Sequence, residues 1–195
     1  MYTPTRQEAW DLLTTYTESD SLRRHARAVE AVMRYCARKR GFEEERWGII
    51  GLVHDLDWEK YPQEHCKKTK EILEDAQWPD EYVHAVMSHA YGIVTDVAPE
   101  HEMEKVLYTI DELTGLVTAT ALMRPSRSVL DMKPKSVKKK WKDKRFAAGV
   151  DRAIIERGAN MLGVELQEVI EDTIMGMREA ADDLDLRGNV ATDRA

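Results

Sequence analysis

Apolar residues recur at the spacing of an α-helix in one segment of the chain after another. In the clearest case, between residues 22 and 39, the stripe at i, i+3, i+4, i+7 contains Leu22, His25, Ala26, Val29, Val32 and Met33. Glycine and proline are few, at 10 and 6 residues, while good helix formers such as Leu, Ala, Glu and Lys are abundant. The sequence therefore predicts an all-α fold.

Eight helices are predicted from this periodicity and from capping and breaking residues, at about 6–17, 22–39, 43–57, 63–75, 80–91, 102–123, 151–162 and 165–184. Thr5 and Glu8 form a capping box before the first helix, and Gly41 ends the second. The stretch between 123 and 151, rich in Pro, Ser and Lys, receives no helix. No repeat or long linker divides the chain, so we expect one compact helical domain at 1–186 and a flexible tail at 187–195.

The composition limits the classes of protein to consider. A formal net charge of −7 argues against a general nucleic-acid coat, so no stable nucleic-acid binding is expected. Only Cys36 and Cys66 are present, without a CxxC pair, which favours a reducing compartment and excludes a zinc finger. The first residues lack a secretory signal, and the apolar segment 106–123 carries Asp111 and Glu112, which are costly inside a bilayer. We therefore expect a cytoplasmic protein with no membrane span.

A histidine and an aspartate, His54 and Asp55, stand side by side at the end of the apolar run in GLVHDLDWEK. Imidazole nitrogen and carboxylate oxygen together suit a divalent transition metal such as iron, manganese, cobalt, nickel or zinc. Such a site needs about four protein ligands, and the helical pattern places His25 and Asp111 on buried faces. Each residue alone is compatible with a structural role, as a core histidine, a hydrogen-bonded buried carboxylate or a solvated acid. All four, in the order H…HD…D, favour a metal site.

This order, carried by LRRHARAVE, GLVHDLDWEK and YTIDELTG, resembles the HD-domain metal-dependent phosphohydrolase superfamily over roughly 21–123. The resemblance implies an all-helical, HD-domain-like fold in which His25, His54, Asp55 and Asp111, from three helices, bind one metal. A bound divalent ion lowers the pKa of water and polarises a phosphoryl oxygen. The implied nucleophile is a metal-bound water, with Asp55 and Asp111 as ligands. The implied activity is hydrolysis of a small-molecule phosphoester, with a nucleotide as one candidate substrate.

Several members of that superfamily look binuclear, and the candidates here for a second metal are His65, His84 and His89. His65 is followed by the residues 66–69, CKKT, where the resembling segment has glycines, which weakens the case for a second ion. His84 and His89 are five residues apart, about 140° around a helix, so both are not expected to bind the same ion. If there is a second ion, we expect His65 and His89 to bind it, with Asp55 as a bridge to the first; whether the chain holds one ion or two stays open.

Other charged residues have two interpretations each. Asp57 and Glu59 either orient a ligating imidazole or are solvated acids, and the solvated interpretation is preferred. Lysine and arginine are concentrated at 124–145, either as a solvated basic face or as a rim that attracts an anionic substrate. The predicted substrate contacts in this stretch are Arg124, Lys135, Lys139, Lys140 and Arg145.

Two rival functions remain. The first is a non-catalytic HD module that binds a nucleotide or a partner protein and keeps its metal for structure or sensing. The second is a helical scaffold that binds no metal. The substrate, the choice between monoester and diester, and the oligomeric state, including a homo-oligomer, are left open by the sequence.

Overall fold

The computed structural model describes residues 2–190, and all the regular structure in this part of the chain is helical, as predicted. Its helices are α1 (Arg6–Tyr16), α2 (Asp20–Arg40), α3 (Glu44–Val53), α4 (Lys67–Asp75), α5 (Asp80–Ser88), α6 (Glu102–Leu122), α7 (Pro134–Trp141), α8 (Arg152–Leu162) and α9 (Leu166–Glu179). One 3₁₀ turn at Pro62–Glu64 precedes α4. The 2–190 region contains one isolated β-bridge, between Tyr91 and Thr95, and no sheet.

The capping residues named from the sequence confirm the start of α1 and the end of α2. The Thr5 side chain accepts a hydrogen bond from the Glu8 backbone N–H, and Glu8 returns the interaction, which completes the capping box of α1. Helix α2 begins at Asp20, two residues before its predicted start, where Ser19 accepts from the Leu22 N–H. Gly41 ends α2 with a φ of 77°, the left-handed conformation that glycine adopts without strain.

Helix α2 lies at the centre of the fold and packs against α3, α6 and α9. Most of its predicted apolar stripe is buried, with Val29, Val32 and Met33 fully inaccessible to solvent, while Leu22 and His25 are partly exposed. The approach of α3 is close because Gly51 has no side chain: a Cβ there would lie 3.0 Å from Cγ of Met33. This close packing brings the carboxyl end of α3, and with it His54 and Asp55, beside the histidine of α2.

Four other predicted boundaries and one assignment were wrong. The third helix ends at Val53 and not at 57, because Asp57 leaves the helix to bond Thr69 through both its backbone N–H and its carboxylate. The segment predicted as one helix at 63–75 is broken at Cys66, whose φ is 68°. Helices α5 and α9 end at Ser88 and Glu179, earlier than predicted. Helix α7 was not predicted. Pro134 lies in its first turn, where proline favours the start of a helix, and Val137 packs into the core.

The predicted tail at 187–195 is described only to residue 190, and 191–195 lie outside the described residues. In the described part, Leu186 is buried and the Asn189 N–H donates to the Ser126 carbonyl at 2.8 Å. Among the described helices, none combines the length and the hydropathy needed to cross a membrane.

Candidate metal centre

Four predicted ligands converge on one space. His25 is on α2, His54 and Asp55 follow α3 directly, and Asp111 is on α6. Nε2 of His25 and Nε2 of His54 lie 3.0 and 3.3 Å from the same oxygen, Oδ1 of Asp111. The same two nitrogens lie 3.8 and 3.4 Å from Oδ2 of Asp55. Two nitrogens and two carboxylate oxygens therefore surround one point between the three elements.

A second pair of imidazoles faces the other oxygen of Asp55. Nε2 of His89, just after α5, is 3.3 Å from Oδ1 of Asp55, and Nε2 of His65, just before α4, is 3.6 Å from it. The rings of His54 and His89 have centroids 5.1 Å apart, and those of His65 and His89 are 5.2 Å apart. The Asp55 carboxylate thus lies between two histidine pairs and presents one oxygen to each.

The backbone fixes the proton position in two of these rings. Nδ1 of His54 lies 2.8 Å from the Gly51 carbonyl oxygen, and Nδ1 of His89 lies 2.5 Å from the Val86 carbonyl oxygen. A carbonyl oxygen can only accept a hydrogen bond, so Nδ1 is the protonated nitrogen in both rings. In the neutral form, Nε2 then carries the lone pair and points at a carboxylate.

The His65 ring is oriented by a buried carboxylate. Nδ1 of His65 donates to Oδ1 of Asp57 at 2.8 Å, and the other oxygen of Asp57 accepts from the Thr69 backbone N–H at 2.8 Å. Asp57 is fully inaccessible to solvent, so the preferred interpretation of it as a solvated acid was wrong. It positions an imidazole instead, which is the usual role of a carboxylate behind a metal-ligating histidine.

The His25 ring is oriented by a hydroxyl. Thr114 donates its hydroxyl hydrogen to the Asp111 backbone carbonyl at 2.7 Å, which leaves its oxygen as an acceptor 3.4 Å from Nδ1 of His25. In all four rings, therefore, an acceptor faces Nδ1 and the opposite nitrogen faces Asp55 or Asp111.

When the imidazoles are neutral, this arrangement places the lone pairs of their Nε2 atoms against the negative carboxylates of Asp55 and Asp111. Nε2 of His54 is buried and has no hydrogen-bond partner. Burial alone would lower the pKa of His54, but the carboxylates of Asp55 and Asp111 outweigh it and hold that pKa well above its usual value. Burial would likewise raise the pKa of Asp55 and of Asp111, but the facing imidazoles hold both well below their usual values. The site needs positive charge between nitrogen and oxygen, from protons or from a divalent cation, and its donors fit a transition metal.

No family model matches the chain, and comparisons with curated proteins and with solved structures also found no match. The case for a metal site therefore depends on the geometry of six side chains, those of His25, His54, Asp55, His65, His89 and Asp111.

A cavity of about 270 Å³ opens onto five of these side chains, all except the buried His54. Helix α6 contributes one wall through Tyr108, Asp111, Glu112 and Gly115, which share a face at the spacing i, i+3, i+4, i+7. Burial and the neighbouring carboxylate of Asp111 raise the pKa of Glu112 to about 7. The remaining wall is largely apolar and includes Ala90, Ile93, Val150 and Ile154. The cavity therefore has ionisable side chains at one end and an apolar wall that could contact the organic part of a ligand.

The structure separates His84, in α5, from His89, which follows that helix. His84, the other candidate for a second metal, does not reach the centre: its Nδ1 lies 2.8 Å from Oε1 of the buried Glu104. His89 lies one residue beyond the end of the helix and does reach it. The five-residue spacing puts the two rings on different sides of α5, so His84 is excluded from this site by geometry.

The basic stretch is not brought to the cavity. Arg124 is held by the Asp131 carboxylate at 2.7 Å and by the Ser136 hydroxyl at 2.9 Å. Lys140 lies over the Phe146 ring, 4.7 Å from its centroid. The other three predicted contacts are exposed, and the cavity wall includes none of the five, which are Arg124, Lys135, Lys139, Lys140 and Arg145. Binding of substrate by these side chains stays a prediction.

Proposed function

We propose that this protein is a metal-dependent phosphohydrolase that binds two divalent transition-metal ions and hydrolyses a phosphoester of a small molecule. The observation that carries the proposal is the position of Asp55, whose two oxygens face two separate pairs of imidazoles. A carboxylate so placed suits a bridge between two ions. The resemblance of the H…HD…D order to HD-domain phosphohydrolases supports the same activity.

The side chains divide into two ligand sets that share Asp55. The first position would use His25, His54 and Asp111, and the second would use His65 and His89. Each imidazole is already oriented by an acceptor at Nδ1, so binding an ion requires no change of tautomer. The donors are nitrogen and oxygen, which is compatible with iron, manganese, cobalt, nickel or zinc.

When bound, a pair of ions supplies Lewis acidity and lowers the pKa of water, the chemistry used in phosphoester hydrolysis. The side chains of the protein orient the candidate ligands and shield one side of the site from solvent. His54 and Asp57 are fully inaccessible to solvent and form the back of the site, while Asp55 and Asp111 border the open cavity. A phosphoryl group would enter from the cavity side, with its organic group against Ile93, Val150 and Ile154.

The cavity also limits the class of substrate. Its volume of about 270 Å³ suits a small ligand, for which pockets are typically several hundred Å³. Its apolar wall favours an organic leaving group over inorganic polyphosphate. A nucleotide remains one candidate among small phosphorylated molecules.

The test is metal analysis of protein purified without oxygen, followed by a panel of phosphomonoesters and phosphodiesters. We expect about two ions per chain and turnover of at least one ester. His84→Ala is the matched control for His89→Ala, because both side chains belong to the same short segment and only one reaches the centre. Bound metal without turnover of any ester would favour the non-catalytic module, and the absence of bound metal would exclude both functions.

A further inference from the structure

Cys66 lies directly beside the second ligand set. Ligand atoms of His65, Cys66 and His89 are all within 4.8 Å of one another. The Cys66 side chain is fully inaccessible to solvent, and the residue is not part of a disulfide. The buried sulfur is therefore on the protein side of the centre, away from the open cavity, whose lining includes both histidines but not Cys66.

The backbone at Cys66 has a conformation that glycine adopts more readily. Its φ is 68° and its ψ is −42°. A side chain at such a φ is strained, because its Cβ crowds the neighbouring backbone. The chain nevertheless carries a Cβ and a sulfur here, directed into the interior beside two imidazoles.

The two imidazoles are an independent indication of a ligand. Asp57 occupies Nδ1 of His65 and the Val86 carbonyl occupies Nδ1 of His89, so both rings offer Nε2. In a tetrahedral zinc site, with Zn–N near 2.0 Å and Zn–S near 2.3 Å, nitrogen and sulfur are about 3.5 Å apart. One ring nitrogen of each histidine and the sulfur are already within 4.8 Å of one another, so the three donors would need to move only a little closer together.

We propose that the Cys66 sulfur is a ligand of the second metal position, together with His65 and His89. This inference rests on the proposed metal centre. As the sulfur–metal bond forms, the thiol proton passes to solvent. The two positions then differ in chemistry, because the first has only nitrogen and oxygen donors and the second adds a soft thiolate. Thiolate ligation favours zinc, cobalt or iron at the second position over manganese or magnesium.

Zinc X-ray absorption on the full chain tests this directly. We expect a sulfur shell at about 2.3 Å beside nitrogen and oxygen at about 2.0 Å, with about half a sulfur per zinc when both positions are filled. Cys66→Ser should remove the sulfur shell. Cys36→Ser is the matched control and should keep it, because Cys36 is buried within α2 and belongs to neither cluster of candidate ligands found in the described residues.

A second variant and a second probe keep the test decisive if Cys66→Ser fails to fold. Cys66→Gly suits the positive φ, so it should fold at least as well as the parent and still lack the sulfur shell. Cobalt-loaded protein should show a sulfur-to-cobalt charge-transfer band that is absent in both Cys66 variants. Zinc bound with only nitrogen and oxygen neighbours would overturn the role of Cys66 and leave the metal centre intact. Parent protein that retains no metal would overturn both.

Discussion

The Asp57 carboxylate accepts a hydrogen bond from Nδ1 of His65 at 2.8 Å, and this contact decides which nitrogen of that ring faces Asp55. Asp57→Asn keeps the shape of the side chain, but its amide cannot serve both the imidazole and the Thr69 N–H as an acceptor. We expect the affinity of the second metal position to fall by about 10- to 100-fold, as for other groups that orient a ligating histidine. Metal titration by calorimetry measures the change.

Glu59→Gln is the control for that substitution, because Glu59 is exposed and accepts only the backbone N–H groups of Glu18 and Ser19. Its metal affinity should match that of the parent. If Asp57→Asn binds two ions as tightly as the parent does, the orienting role of Asp57 is wrong.

His89→Ala and His84→Ala should differ in metal content. We expect His89→Ala to retain about one ion per chain and His84→Ala to retain about two, because only the first side chain faces Asp55. Elemental analysis of both purified variants gives the answer. Equal loss in the two variants would contradict the assignment of His89 to the centre.

Asp55→Ala and His25→Ala should differ in a complementary way. Asp55 faces both histidine pairs, so its removal should leave no ion bound and no hydrolytic activity. His25 contacts only the first position, so its removal should leave about one ion. Far-ultraviolet circular dichroism of both variants should show near-normal helical content. Retention of one ion by Asp55→Ala would show that its carboxylate does not join the two positions.

The stability of the metal-free protein should depend on pH in a defined direction. Despite the opposing effect of burial, carboxylates hold the pKa of His54 above its usual value. Its stabilising contribution is therefore complete below the unfolded value of about 6.5 and is lost as the pH rises through the folded pKa. The low pKa values of Asp55 and Asp111 contribute stability above about pH 3.9 that is lost only as the pH falls through those values.

Melting temperatures between about pH 5 and pH 9, with chelator and with zinc, measure this dependence. The metal-free protein should lose stability toward alkaline pH. The zinc-loaded protein should not show this loss, because the cation then compensates the carboxylates in place of the His54 proton. A metal-free melting temperature that rises steadily over the same interval would contradict the charge arrangement described here.

Helical periodicity was enough to predict the fold class and to place His25 and Asp111 on buried faces, whereas the convergence of the first ligand set was implied by the resemblance. His25 lies within a regular apolar stripe, and Asp111 interrupts another, so both were marked as buried ionisable groups. The same rule applied to α6 would also have marked Tyr108, three residues before Asp111, as a cavity residue. These features depend on spacing within one helix, which the sequence shows directly.

Features that depend on how segments meet could be predicted only in part. The sequence favoured His89 over His84 but did not fix the choice, which depends on where α5 ends and on how it approaches the end of α3. The buried position of Asp57 depends on Thr69 in α4, and nothing in the sequence marks Thr69 as the partner of Asp57. Cys66 departs from the pattern of the resembling segment, and only its proximity to two imidazoles gives that departure a chemical meaning.

The order of the ligands along the chain has a consequence for synthesis. The second set is complete once His89 has left the ribosome, whereas the first set, which starts earlier at His25, must wait for Asp111 in α6. A nascent chain that ends between these two residues can gather one ligand set but not the other. The first set would therefore close only when α6 docks on α2, and a metal ion bound at this proposed site would report that the core has assembled.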